Sequence, residues 1–514
     1  MSNNTEGNKR IAKNTLYLYI RLVFVLLVSL YTSRVVLQTL GIVDYGIYNV
    51  VAGFVSMLAL LSTALTGATQ RFYNYEIGKN GEEGIQKVFI SATYIQVIIA
   101  VIILLLTETV GLWYVANKMV YPPEREVAVH VVYQASVVAL LFVVMQVPYS
   151  AAIVAHEKIN YYAIVSVIDV LLRLIIALVV PLLGFDNLSI YGILIAGISI
   201  VDFIFYSLYA RRKFPQLRFK RLFYKNTFVD MLKFSGWSTC NTFSQVIKNQ
   251  GLNILMNLFF GPVINAARGI SYQIKSALLG FVMNITTAAQ PQVTESYAVG
   301  NVDRSKRLMF TISKFIFFSL YIVALPIIFE VSYVLRLWLG NEIPEYAEIF
   351  TILVLIIALV DILITPIAMI ISASGKIGRF NFWYSIISIT VLPIAYLFLK
   401  MGYSPISVYV ISLILSVIME IASMIILKKE TGIGLRYYSS HVLAPIFLVV
   451  LSTFFIPLIL VRCISPGILR LIIVTVASVI CVAISSYYIG LNQNERCFLL
   501  TYTKRFFYRF KRRI

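Results

Sequence analysis

Two short polar stripes interrupt otherwise apolar sequence. Ser238, Asn241, Gln245 and Lys248 form one, and Asn265, Arg268, Tyr272 and Lys275 form the next. Each set has offsets 0, 3, 7 and 10, which put its four members on one face of a helix. Three cations with no carboxylate in either stripe suit the wall of a wet cavity that binds an anion through charge-assisted hydrogen bonds. The alternative is hydrogen bonding to other helices of a bundle. Arg21 lies eight residues into the first apolar run, ~12 Å deep at 1.5 Å per residue. That is too deep for a side chain that merely reaches for the interface, and it joins the cavity set. Arg34, 13 residues further on and on another face, is placed as well for snorkelling as for the cavity.

Other ionisable residues fall inside apolar runs. Asp169 and Arg173 are four apart, the spacing of an ion pair on one helix face, and are read as structural. Lys314, near a helix end, is read as snorkelling. Asp202, Asp361 and Glu420 lack a local partner; any of them could bind a coupling proton or sodium ion, or pair with a cavity cation. Cys240, Cys463, Cys481 and Cys497, and His130, His156 and His441, are scattered without metal or disulfide spacing, so no metal or other cofactor is called for. Ser374-Gly375-Lys376 lacks the upstream Gly and the following Ser or Thr of a phosphate-cradling loop, which argues against direct ATP drive.

The elements that must hold these residues are membrane helices. Of 514 residues, 60% are hydrophobic and only 13% charged, about half the charge of a soluble domain. Apolar runs of about 20 residues, without strand-like alternation, fit helices crossing a ~30 Å hydrocarbon core. We expect fourteen: 14–39, 46–70, 86–113, 127–150, 160–183, 188–210, 231–259, 263–294, 307–329, 348–371, 379–400, 404–427, 441–461 and 467–490. The first run is too long for a signal-peptide core and is read as a retained helix.

With the N-terminus inside, 30 loop Lys and Arg fall on the inner side. Six fall outside: Lys118, Arg125, Arg336, Lys400, Arg462 and Arg470. Cationic flanks resist translocation, so both termini are expected in the cytoplasm. The net charge of +20 is thereby a topology signal resting near anionic lipid headgroups, not a nucleic-acid footprint.

The chain also repeats itself. Leu40-Gly41 is followed 29 positions later by Gln70, and Phe260-Gly261 by Gln290 at the same interval. Pro148, Ala155, Lys158 and Ile159 are matched by Pro366, Ala373, Lys376 and Ile377, and the Leu-Trp pair ending at Trp113 is echoed at Trp338. A like-oriented repeat needs an even number of helices per copy, and six fits. The expected division is a first lobe over 1–220, a second over 221–430, and two extra helices with a basic tail over 431–514. Such duplication is a common plan of secondary transporters, with substrate held between the halves.

Thr32-Ser33-Arg34, Leu40-Gly41 and Tyr45-Gly46 resemble the first-helix signature of the multidrug/oligosaccharidyl-lipid/polysaccharide (MOP) exporter superfamily, closest to flippases of O-antigen and capsular repeat units. Phe259 to Gly269 resembles the opening of that family's second lobe. The resemblance runs through helix 12. It implies an all-α polytopic protein of the bacterial inner membrane whose lobes open alternately to each side. The implied substrate is an undecaprenyl-diphosphate-linked oligosaccharide. The resemblance assigns Arg21 and Arg268 to the central cavity; Lys248 and Lys275 join them from the stripes alone, with Asn241, Gln245, Asn265 and Tyr272 beside them. The implied partners are the lipid-linked oligosaccharide, membrane lipids, a coupling ion and other polysaccharide-assembly proteins. A multidrug antiporter of the same superfamily is the rival, and would be expected to show acidic residues in its cavity. A membrane-bound polymerase or ligase would need a large external loop, which the sequence lacks.

Overall fold

The computed structural model describes residues 2–496 except 80, 157 and 341; side chains of residues 2–22 and 234–242, and of scattered positions elsewhere, fall outside that description. Among the described residues every regular element is a helix, because a backbone in hydrocarbon must satisfy its own hydrogen bonds. The longer helices are α1 (Ser2–Leu58), α2 (Leu60–Lys79), α3 (Gly81–Leu106), then a short α4 (Leu112–Asn117), α5 (Glu126–Ala155), α6 (Ile159–Val179) and α7 (Asn187–Lys213). They continue with α8 (Lys225–Phe260), α9 (Pro262–Ala298), α10 (Val302–Phe329), a short α11 (Val331–Leu339), α12 (Ala347–Ala373), α13 (Ile377–Lys400) and α14 (Ile406–Thr431). A single turn α15 (Leu435–Tyr438), α16 (Ala444–Cys463) and α17 (Ile468–Ser485) follow.

Among the described residues, eleven helical stretches are long and apolar enough to cross a membrane. The expected fourteen segments all lie on helix, but the count differs for two reasons. The first two segments share one stretch, Val23–Leu58, and α8 and α9 are too polar to qualify, since they carry the Asn, Gln, Lys and Arg of the two stripes.

The sequence repeat has a backbone counterpart. Gly41 bends α1 with φ 75° and ψ 171°, and Gly261, 220 positions later, separates α8 from α9 with φ 75° and ψ −173°. Only glycine adopts this region without strain. Pro148 and Pro366 both lie inside long helices, α5 and α12. The most extensively packed pair in the first compact unit is α5 with α7; in the second it is α12 with α14, the equivalent helices of the repeat.

The first unit comprises 1–269, 338–345 and 399–401, and the second comprises 270–337, 346–398 and 402–514. The boundary in contacts therefore falls within α9, not near residue 220. In the first unit α8 packs on α1, α2 and α3, which draws it and the start of α9 to that side. In the second, α10 packs against α12, α16 and α17, so the two helices beyond the repeat are part of that unit.

Candidate functional site

The α8–α9 hairpin carries both polar stripes, and its geometry starts at Gly261. The glycine N–H caps α8 by donating to the Asn257 carbonyl (2.8 Å), and Pro262 opens α9 where its missing N–H costs nothing. Three asparagines four residues apart on α8, Asn249, Asn253 and Asn257, share one face of that helix. Asn257 is fully buried, donates to the Val120 carbonyl (3.1 Å) and accepts from the Val120 N–H (2.9 Å). Asn253 donates to the Asn49 carbonyl of α1 (3.2 Å).

Two residues of the α9 stripe complete this ladder. Asn265 is fully buried and donates to the Asn253 carbonyl (2.7 Å) and side-chain oxygen (2.8 Å). Arg268, 4% exposed, donates through Nη2 to the Asn249 carbonyl (2.9 Å). These side chains brace α9 against α8 in this conformation, the inter-helix role weighed as the alternative. A helical stripe defines a face, not what the face meets.

Backbones come unusually close along the same seam. A Cβ at Gly46 of α1 would lie 1.9 Å from the Pro262 carbonyl oxygen, and one at Gly53 would lie 2.7 Å from Oε1 of Gln250. Gly269 lies against Asn49, at 3.0 Å from a built Cβ to Oδ1. Glycines at these positions let α1 approach the α8–α9 hairpin. Sequence reading missed Asn49, Asn249, Asn253 and Asn257; the four-residue spacing of the last three on α8 was the available signal.

Lys248 and Gln245 are half-buried on α8; Gln245 continues the four-residue spacing of the asparagines, and Lys248 lies one position off it. Arg34 is half-buried on α1. The side chains of Arg21, Ser238 and Asn241 lie outside the described residues.

The second unit holds Lys275, Tyr272, Asp361 and Glu420. Lys275 Nζ is 3.9 Å from Oδ2 of Asp361 on α12, and 5.6 Å from the Tyr272 ring centroid. The Lys275 and Asp361 side chains are 19% and 35% exposed, a loose pair still open to a ligand or solvent. Asp361, expected to lack a local partner and to hold a coupling ion or pair with a cavity cation, meets one of those cations, 86 residues away on another helix and beyond any local spacing rule. Glu420 on α14 is 6% exposed; the Tyr438 hydroxyl is its polar neighbour, but neither carboxylate oxygen accepts a well-formed hydrogen bond among the described residues.

In the first unit the Arg173–Asp169 pair forms as expected, with Nε donating at 2.9 and 3.1 Å. Asp202 lies beside it, near enough for both charges to act on it, so it too has neighbours that spacing did not reveal. Its Oδ1 is buried without a donor.

Lys314 departs from its reading as a snorkelling residue. It is buried and ion-paired with Glu495, which also accepts from Thr311 Oγ1 (2.9 Å) and the Asn492 N–H (2.8 Å). A second buried pair, Arg470–Glu330 at 2.8 Å, ties the start of α17 to the end of α10. Neither pair could be found by spacing, because the partners are 181 and 140 residues apart.

No protein-family model matches the chain, and no curated protein sequence matches it either. Solved structures do. The lipid II flippase MurJ in an inward closed conformation superposes with a TM-score of 0.71 at 13% identity, covering 92% of this chain and 98% of that one. An inward-facing multidrug resistance MATE family transporter of the MOP superfamily gives 0.58 at 16% identity, over 82% and 94%. A MOP superfamily transporter from Pyrococcus furiosus, described as having a binding pocket of reverse polarity, gives 0.57 at 16% identity, over 82% and 96%. The protein therefore has the multi-helix membrane fold shared by MurJ and the MATE transporters.

Proposed function

We propose that the protein is a flippase. Its substrate would be an undecaprenyl-diphosphate-linked oligosaccharide repeat unit (O-antigen, capsule or exopolysaccharide), moved from the cytoplasmic to the periplasmic leaflet of the bacterial inner membrane. The observation that carries this reading is the set of Lys and Arg on α8 and α9, within a bundle of membrane helices. A central Lys or Arg facing lipid costs roughly 2.5–3.5 kcal/mol on insertion scales; in this conformation Arg268 has a backbone carbonyl and Lys275 has Asp361, and a substrate that draws them away must bring an anionic counterpart. A lipid-linked diphosphate supplies one while its tail stays in the bilayer. The likeness to a lipid II flippase supports the same substrate class.

Arg21, Lys248, Arg268 and Lys275 take the headgroup, with Asn241, Gln245, Asn265 and Tyr272 as polar neighbours and Arg34 near the outer end. The lobes rock to expose the substrate to each side in turn. The Lys275–Asp361 pair suggests how an ion enters the cycle. A diphosphate that draws Lys275 away leaves Asp361 without its counter-charge, and a proton or sodium ion takes that place. Glu420 and Asp202 are further carboxylates able to hold a coupling cation.

The test is headgroup translocation in reconstituted vesicles. Ala at Lys248 and Lys275 should lower the rate at least ten-fold with membrane insertion unchanged; Ala at Arg21 and Arg268 should do the same, with monodispersity checked for Arg268 because it also braces the hairpin. Wild-type rates in all four variants would falsify the assignment. A second reading, multidrug or cation antiport, is favoured by the buried carboxylate of Glu420 and the buried Oδ1 of Asp202, neither with a well-formed hydrogen bond among the described residues. It predicts drug hypersensitivity in a deletion strain and no accumulation of inner-leaflet lipid-linked glycan.

A further inference from the structure

The connection from α7 to α8 does more than carry charge. Between residues 211 and 229 it holds seven Lys and Arg and no Asp or Glu. It is not a solvated loop. Phe214 and Leu217 are buried, and Phe214 stacks on His156 at 4.0 Å. Tyr94 of α3 meets the rings of Phe219 (5.4 Å) and Phe223 (5.8 Å). Lys220 Nζ donates to Gln86 Oε1 (3.2 Å), and Arg211 donates to the Tyr149 hydroxyl (2.7 Å). A tight turn, closed by the Leu222 N–H donating to the Lys220 carbonyl (2.7 Å), fixes the direction of the tip.

So fastened, the strap exposes two kinds of side chain together. Arg212, Arg218 and Arg221 are exposed, and so are Phe219 (47%), Leu222 (46%) and Phe223 (58%). Topology alone needs only the cations. Large apolar side chains interleaved with them are poorly placed in water, but they fit the boundary where acyl chains meet headgroups. We propose that this strap is a docking surface for anionic phospholipid headgroups of the leaflet it borders, with Arg212, Arg218 and Arg221 on the phosphates and Leu222 and Phe223 inserted beneath them. The anionic lipid is a structural ligand, distinct from any transported substrate, and the proposal stands whether or not the flippase reading does.

The test uses the full chain in detergent, titrated with phosphatidylglycerol or phosphatidylcholine while thermal unfolding is followed. Phosphatidylglycerol should raise the Tm and phosphatidylcholine should not, with the effect reduced by salt. Each cation contributes on the order of five-fold to surface attraction, so Arg212→Gln/Arg218→Gln/Arg221→Gln should raise the half-effective concentration at least ten-fold. Lys428→Gln/Lys429→Gln/Arg436→Gln, with equal charge removed elsewhere, should leave it unchanged. An undiminished response in the strap variant, an equal loss in the control, or the same Tm rise from inorganic pyrophosphate would overturn the proposal. Independently of that variant's folding, fluorescence of Leu222→Trp in nanodiscs should be quenched by brominated phosphatidylglycerol; emission unaffected by bromination would count against insertion.

Discussion

Asp186 shows how a single side chain can be tested directly. It caps α7, accepting from the Ser189 N–H (2.9 Å) and hydroxyl (2.6 Å), and it pairs with Arg125 (2.7 Å), which also holds Asp44. Partial burial opposes its ionisation, but the Ser189 hydrogen bonds and the Arg125 guanidinium outweigh this and hold the carboxyl below its usual 3.8. A depressed carboxylate contributes stability above its unfolded value and loses it as pH falls through the folded one. Asp186→Asn keeps a cap but removes the charge, so it should destabilise the protein at neutral pH by the few tenths to ~1 kcal/mol of a partly exposed ion pair, and the difference from wild type should close as pH falls below about 4. A Tm gap that stays constant with pH would count against this account. At this scale the sequence was legible where partners are near, as for Asp169 and Arg173 four apart. It was not legible for Lys275 and Asp361 or Lys314 and Glu495, because a linear pattern cannot report a neighbour brought in by tertiary packing. Arg268 and Asn265 were found by their stripe, but that pattern could not tell a cavity from the backbone of α8.

Helices were the most readable level. Apolar runs of bilayer length fell on helix, though eleven stretches rather than fourteen qualify as spans among the described residues, and the repeated Leu-Gly and Phe-Gly pairs marked where α1 bends and α8 ends. What escaped was the seam between α1 and the hairpin, since close backbone approach is written only as isolated glycines. Gly41→Ala and Gly261→Ala should each cost about 1–3 kcal/mol, the strain of a side chain in that region of φ and ψ. Among the described residues no neighbour lies within 4 Å of a Cβ at Gly41, so the loss there would be conformational. Gly46→Ala differs in cause, because its methyl would collide with a backbone carbonyl. Thermal unfolding of the three variants should rank Gly46→Ala the least stable, and no loss at Gly46 would show that α1 and α9 are not so closely apposed.

In the second unit, two buried ion pairs tie α10 to later chain: Glu330, just past α10, meets Arg470 at the start of α17, and Lys314 within α10 meets Glu495, ten residues beyond α17. Breaking one from a single side leaves a bare charge in the interior. Lys314→Met should therefore cost about 3–5 kcal/mol, whereas Lys314→Met combined with Glu495→Leu should recover most of it. Equal Tm values for the single and double variants would show that Glu495 is not a confined charge. The sequence placed α16 and α17 outside the duplication, and the structure makes them part of the unit that packs on α10.

The clasp between Lys314 and Glu495 also sets a timetable for biogenesis. The lysine enters the bilayer while 181 residues remain to be made before its counter-ion exists. At 5–20 residues per second that delay is roughly 10–40 s. During that interval the nascent helix must be sheltered by the insertion machinery or left unsettled in lipid. A residue made after α17 is the one that secures α10, so a chain cut short before Glu495 would offer quality-control proteases an exposed charge to recognise.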